Sequence, residues 1–163
     1  MGEEITMDQD NFVIEQLNYI DIGKVISVLN SLADHHNKTS EYFSGVFPTK
    51  SFEQIISEIS QKVKNGLSIV ETIKINNQII GFSQCTIEKN IGELEYLAIL
   101  PEYRNRGYGT LLMDRAMKYF EHQPIKRIDI RIVYGNDEAK NFYERYGFRP
   151  SLQIMSIITT EKS

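Results

Sequence analysis

The sequence predicts an α/β protein whose helices flank a mixed, mostly antiparallel sheet, and three observations carry that expectation. Two short hinges, Asn76-Asn77 and Lys89-Asn90, separate runs of strand-like alternation, which is the pattern of consecutive hairpins. Apolar residues recur at helical spacing in four other stretches. In the C-terminal half, strand-like and helix-like segments take turns, so that at least one strand pair must be joined by a helical crossover.

The elements follow in order. Residues 12–18, "FVIEQLN", alternate as a first strand. Residues 20–36 place Ile22, Val25, Ile26, Leu29 and Leu32 on one face of a helix. Residues 37–50 are polar and aromatic with Gly45 and Pro48, a loop. Ser51 is positioned to cap a helix that Gly66 ends. Strands are expected over 67–75, 78–88 and 91–100, the last stopped by Pro101. A helix then runs from about Gly107 to Phe120, turning Leu111, Leu112, Ala116, Tyr119 and Phe120 inward. "KRIDIRIVY" alternates over 126–134, with Ile128, Ile130 and Ile132 on one face. Asn136 caps a short helix closed by Gly147, and "LQIMSIITT", 152–160, is a final strand.

Composition bounds the function. The chain has 163 residues with 41% hydrophobic and 25% charged, enough for one sizeable core and unlike a disordered chain. Residues 1–10 are expected to be a flexible N-terminus and 11–163 a single domain. "MGEEIT" formally fits an N-myristoylation pattern, but two acidic residues follow the glycine. A formal net charge of −4 argues against general nucleic-acid binding. The one cysteine, Cys85, excludes an intrachain disulfide and a thiolate-rich metal site; it fits a reducing, cytoplasmic setting. No membrane association and no metal are expected.

One stretch carries chemistry. In "EYRNRGYGTLL", residues 102–112, two glycines and two arginines stand at a helix mouth. A helix N-terminus presents unpaired N–H groups and about half a positive charge, both suited to an anion. Gly107 and Gly109 remove Cβ atoms that would hold a phosphate off the backbone, and Arg104 and Arg106 add charge. A P-loop is excluded because no lysine follows the glycines, and a dinucleotide fingerprint because Leu112 stands where a third glycine belongs.

The arrangement resembles the GCN5-related N-acetyltransferases. Arg104, Gly107 and Gly109, following "LAILP", match the family's first signature; Asn136, Ala139, Phe142, Tyr143, Gly147 and Phe148 match its second. The resemblance implies a sheet of about six to seven strands flanked by four helices, with a splayed parallel strand pair forming an acetyl-CoA cleft. It implies that the backbone of Leu97, Ala98 and Ile99 pairs with the pantetheine arm and acetyl carbonyl. The N–H groups of Asn105, Arg106, Gly107, Tyr108, Gly109 and Thr110 would hold the pyrophosphate with Arg104 adding charge, and the Asn136 side chain would touch the cofactor, unless it serves only as a helix cap. Tyr143 would be the general acid.

For the base, Glu93 and Glu95 are the candidates, two apart on one strand and expected to share a face with Leu97 and Ile99. Arg131 stands where another branch of the family has a glutamate, a departure from the ribosomal-protein and N-terminal subtype. His35 and His36, expected just past the first helix, and Tyr42, Phe43 and Phe47 border the acceptor region in relatives. Cys85, alternating with apolar neighbours, is a buried filler. The implied activity is direct transfer of acetyl from acetyl-CoA to a primary amine of a small molecule or peptide. The alternatives are a catalytically silent acyl-CoA sensor or scaffold, and an acyltransferase using another acyl group. A homodimer built through the final strand is a further expectation.

Overall fold

The computed structural model describes residues 11–159. The expected flexible segment 1–10 and the myristoylation pattern lie outside the described residues. The elements are β1 (Phe12–Gln16), a 3-10 segment (Tyr19–Val25), α1 (Ile26–Thr39), α2 (Phe52–Lys64), β2 (Ser68–Ile75), β3 (Gln78–Glu88) and β4 (Ile91–Ile99). A 3-10 turn (Pro101–Tyr103), α3 (Tyr108–Glu121), β5 (Arg127–Ile130) and α4 (Asp137–Glu144) complete them. The described strands form one sheet in the order β1-β2-β3-β4-β5. Three neighbouring pairs are antiparallel; β4 and β5 are parallel.

Local chemistry accounts for the boundaries. Asn76 and Asn77, like Lys89 and Asn90, hold positive φ, the backbone of a tight hairpin turn whose twist matches the strands. The Ser51 hydroxyl accepts from the Gln54 N–H and opens α2. Gly107, at φ 87°, sits just before α3, a conformation that only glycine takes without strain. The first predicted helix is divided: residues 19–25 wind as a 3-10 segment and the α-helix proper starts at Ile26.

Two expectations are corrected. The strand expected over 126–134 forms only over Arg127–Ile130, because its pairing with β4 stops at Leu94–Ile130; Ile132 and Tyr134 leave the sheet and are exposed. The final strand does not join the sheet. Leu152, Ile154, Met155, Ile157 and Ile158 are 64–86% exposed, so five strands are described rather than six to seven.

The core has two parts. The larger gathers Ile22, Val28 and Leu29, Ile59 of α2, and the sheet residues Val70, Ile80 and Phe82. The second lies beneath α3 and α4 and joins Cys85, Leu94, Met113, Ala116, Phe120 and Tyr143. Gly92 is tightly fitted there: a Cβ on it would lie 2.8 Å from the Phe120 ring.

Candidate functional site

The site is built around β4. Opposite residues of an antiparallel pair share a face, so the register assigns faces. Cys85 pairs with Leu94, but Gln84 pairs with Tyr96, leaving Glu95 as the extra residue of a β-bulge. The bulge reverses the alternation. Leu97 and Ile99, opposite Ser83 and Gly81, lie on the face of Cys85 and Leu94, towards α3 and α4. Glu93 and Glu95 lie on the opposite face, where Lys62 of α2 meets Glu95. The expectation that all four share one face is therefore wrong, because a strand that gains one residue changes parity.

The bulge also marks where β4 loses a neighbour. Parallel pairing runs from Ile91–Arg127 to Leu94–Ile130 and stops, while β4 continues to Ile99. Backbone direction in that free stretch follows from a single bond. The Leu100 N–H donates to the Ile80 carbonyl at 2.8 Å, and ladder bonds fall on alternate pairs. Ala98 thus points its N–H and carbonyl at β3, and Leu97 and Ile99 point theirs away from it, into the gap beside β5. Of the three backbone contacts expected here, that of Ala98 is corrected for this reason.

The glycine loop follows. Asn105 and Gly107 both have positive φ, and no side chain caps the N-terminus of α3. Gly109 has ordinary helical space around it: a Cβ there would meet only Ile99 Cγ1, at 4.0 Å. Neither backbone strain nor packing requires glycine at 109, although glycine in a helix is destabilising by about 1 kcal/mol relative to alanine. The Arg104 side chain turns back: its Nε donates to the Ile99 carbonyl at 3.0 Å and its Nη1 lies 3.3 Å from His35 Nδ1. Arg106 lies over the Tyr103 ring. Tyr108 is buried edge-on against Phe12, and Thr110 is exposed.

Tyr143 projects from α4 into the second cluster, 9% exposed, in the company of Leu94 and Leu97. Burial pushes its hydroxyl up to about 12, so it stays protonated far above neutrality. Asn136 caps α4 by accepting from the Ala139 N–H at 3.2 Å. The Glu93 carboxyl is raised above the usual range, chiefly by burial; Arg131, 3.1 Å away, opposes the shift. Both oxygens of Glu95 are engaged. Oε1 accepts from Lys62 at 2.8 Å, and Oε2 from Gln84 at 2.9 Å and from the Thr86 hydroxyl.

His35 and His36 lie within the last turns of α1 rather than beyond it, and burial is the first cause lowering both. Tyr42 stacks on Tyr134, and Phe47 packs on His36. Sequence reasoning missed Lys62, Gln84, Thr86 and Asn37. The Asn37 amide staples the α1–α2 loop, accepting from the Gly45 and Phe47 N–H groups and donating to the Phe47 carbonyl. Gln84 and Thr86, polar residues two apart in an otherwise apolar strand, were a usable signal; Lys62 had none.

The model of the acetyltransferase (GNAT) family matches residues 32–148. The chain belongs to that family. This acetyltransferase uses acetyl-CoA as co-substrate, and the residues present fit it: an uncapped helix mouth, a glycine with space beside it and a strand end that no described strand covers lie close in sequence. Its fold is shared with solved structures. PaiA N-acetyltransferase from Thermoplasma acidophilum in complex with coenzyme A is 21% identical, with a TM-score of 0.69 over 85% of this chain and 90% of that one. A predicted acetyltransferase of Clostridium acetobutylicum with acetyl-CoA is 18% identical, TM-score 0.71, over 91% and 96%. An aminoglycoside acetyltransferase from an uncultured soil metagenomic sample in complex with sisomicin is 15% identical, TM-score 0.63, over 93% and 97%. Among the described residues no helix is long and apolar enough to cross a membrane, and no acid–histidine–cysteine group is arranged to hold a metal.

Proposed function

We propose that the acetyltransferase moves an acetyl group directly to a primary amine of a small molecule or peptide, with both reactants bound at once. One observation carries this reading: β5 stops pairing at Ile130 while β4 runs on to Ile99, which turns the backbone of Leu97 and Ile99 into the gap. An extended pantetheine arm would add to β4 there as a strand does. The N–H groups from Asn105 to Thr110 would hold the pyrophosphate, with Gly107 and Gly109 allowing close approach. The Asn136 amide nitrogen, not engaged by the cap, would donate to the cofactor.

Acetyl-CoA supplies the activated acetyl group; the chain orients it and moves two protons. An alkyl amine with a pKa near 10.4 is nearly all protonated at neutral pH, and freeing its lone pair costs roughly 4–5 kcal/mol. Glu93, held near the splay by Arg131 and raised by burial, is the proposed proton acceptor. Glu95, whose oxygens are engaged, supplies negative charge that draws the acceptor ammonium. The Ile99 N–H stabilises developing charge on the acetyl oxygen. Tyr143, protonated at working pH, donates to the departing sulfur. Base and acid thus act from opposite faces of the sheet, through the gap.

Acceptor amines are the natural partners of this charge pattern, and an aminoglycoside acetyltransferase of the same fold is solved in complex with sisomicin. The test is calorimetry with acetyl-CoA, followed by thiol release measured over a panel of polyamines, aminoglycosides, amino acids and peptides. Binding together with amine-dependent release supports the reading. Binding without release on any amine favours an acyl-CoA sensor, and release only with a longer acyl group favours a different acyl donor.

A further inference from the structure

The face of the sheet beneath α2 carries a polar net. Ser68, Gln84 and Thr86 are buried there and joined to Glu95. Their protons follow from counting. Ion-paired Glu95 can only accept, so the single Thr86 hydroxyl proton goes to its Oε2. The Ser68 hydroxyl, 2.6 Å from Thr86, therefore donates to Thr86. The Gln84 amide sends its two protons to Glu95 Oε2 at 2.9 Å and to Ser68 at 3.1 Å. The carboxylate fixes that amide's orientation, since the carbonyl end would face another acceptor. Glu95 Oε2 is thus pinned by two buried donors. Two acceptors of the net are left for something else. Gln84 Oε1 is buried with no hydrogen-bond partner among the described residues, and Glu95 Oε1 is met by Lys62 Nζ at 2.8 Å.

The two halves of that ion pair are unlike. The carboxylate is fixed in the sheet. The lysine is 32% exposed on a flexible four-carbon stem, and Glu88, 4.0 Å from its Nζ, is a second partner. A carboxylate so enclosed needs a cation, because leaving it unpaired is costly. Nothing in the net requires that cation to be Lys62. We propose that Lys62 is a placeholder on the seat of the acceptor's ammonium: the incoming primary amine, in its charged form, displaces Lys62 from Glu95 Oε1, and Lys62 swings to Glu88. The occupant is a primary ammonium because the seat already holds one, and its three donors suit a site with two acceptors to fill. The placeholder makes the enzyme selective, since a neutral acceptor cannot displace a tethered cation. This inference rests on the amine-transfer reading above and deepens it. Apparent affinity for the amine scales with the fraction of time the seat is open, so a lysine that vacates it a tenth of the time weakens binding about tenfold.

The test uses the full ¹⁵N-labelled chain and n-butylamine, which carries the four carbons and ammonium of the lysine side chain itself. The readout is the Gln84 side-chain amide signal, identified by its loss in Gln84→Met. Wild type should bind with movement of that signal. Lys62→Met should bind about tenfold more tightly. Lys62→Arg should bind more weakly than wild type, because a guanidinium grips a carboxylate with two parallel bonds. Lys64→Met is the control: it removes the same charge from the same helix, at an exposed lysine that lies over the Tyr19 ring, and should change binding by less than about twofold. Equal gains in Lys62→Met and Lys64→Met would mean general charge alone and overturn the proposal. Binding by Lys62→Met with none by wild type would mean a fixed structural pair and overturn it too, as would an unmoved Gln84 signal in every variant. A chain that passes these tests but releases no thiol with any amine keeps the placeholder and loses the transfer reading. Thiol release whose amine KM ignores Lys62→Met keeps the transfer and removes the placeholder.

Discussion

The two halves of β4 do different work with the same chain. From Ile91 to Leu94 the strand has β3 on one side and β5 on the other, and Gly92 lies hard against Phe120. From Glu95 to Ile99 it keeps β3 but has no described strand partner opposite, and the space near its end opens at Gly109. The first half is framework. The second half presents alternate backbone groups outward, which a sheet interior does not normally do. A single extra residue, Glu95, stands at the boundary. The comparison teaches that withholding one strand opens an edge of its neighbour; on the function proposed above, that edge receives an extended ligand.

The largest test of this contrast is at the chemistry beside the open half. Tyr143→Phe removes only a hydroxyl from a buried ring, so the fold should persist while kcat falls by about ten- to a thousandfold, within the general-acid range. Pre-steady-state thiol release under chemistry-limited conditions checks it, and an unchanged rate would remove Tyr143 from the mechanism.

Next comes a pair of glycines, one for each half. Gly92→Ala forces a methyl to 2.8 Å from Phe120 and should destabilise by about 1–3 kcal/mol, with the KM for acetyl-CoA unchanged. Gly109→Ala meets nothing closer than 4.0 Å and should gain up to about 1 kcal/mol of stability from helix propensity. The same change should weaken acetyl-CoA binding by about tenfold, roughly 1.4 kcal/mol. Urea midpoints and calorimetry on both variants would separate framework from receptor; equal effects on stability and binding would dissolve the distinction.

A smaller effect concerns pH. Burial holds His35 and His36 below the ordinary histidine value of 6.5. Between 6.5 and those lowered values the unfolded chain binds more protons than the native one, so stability falls as pH falls through that window. Above 6.5 both states are neutral and nothing is lost. The double variant His35→Gln/His36→Gln should flatten the difference between urea midpoints at pH 7.5 and pH 5. The smallest expectation is an absence of reaction: the buried Cys85 thiol should resist a thiol reagent until the chain unfolds.

Much of this was legible in the sequence, and the reasons are local. Asn76-Asn77 and Lys89-Asn90 announce their turns because few residues tolerate positive φ. The glycine loop and the Asn136 to Phe148 pattern identify the family because their chemistry depends on residues at fixed spacing. What escaped was set by pairing. No pattern around Glu95 reveals a bulge, because the extra residue exists only relative to β3. The length of β5 depends on where β4 stops serving as a partner, so its alternating residues through Tyr134 overstate the strand. Lys62 reaches Glu95 from another element, 33 positions away, and no local signal records that. The apolar alternation of 152–160 predicts a strand, but residues 151–159 form none, because a local preference does not supply a partner.

The bulge has one more consequence. Deleting Glu95 would set Tyr96 directly after Leu94 and leave every pair with β3 in place, Tyr96 still opposite Gln84 and Leu97 still opposite Ser83. The extra local twist that a bulge gives its strand would go with it. The loss of one codon would thus tidy the ladder and, in the same step, remove the bend that stands where β5 departs.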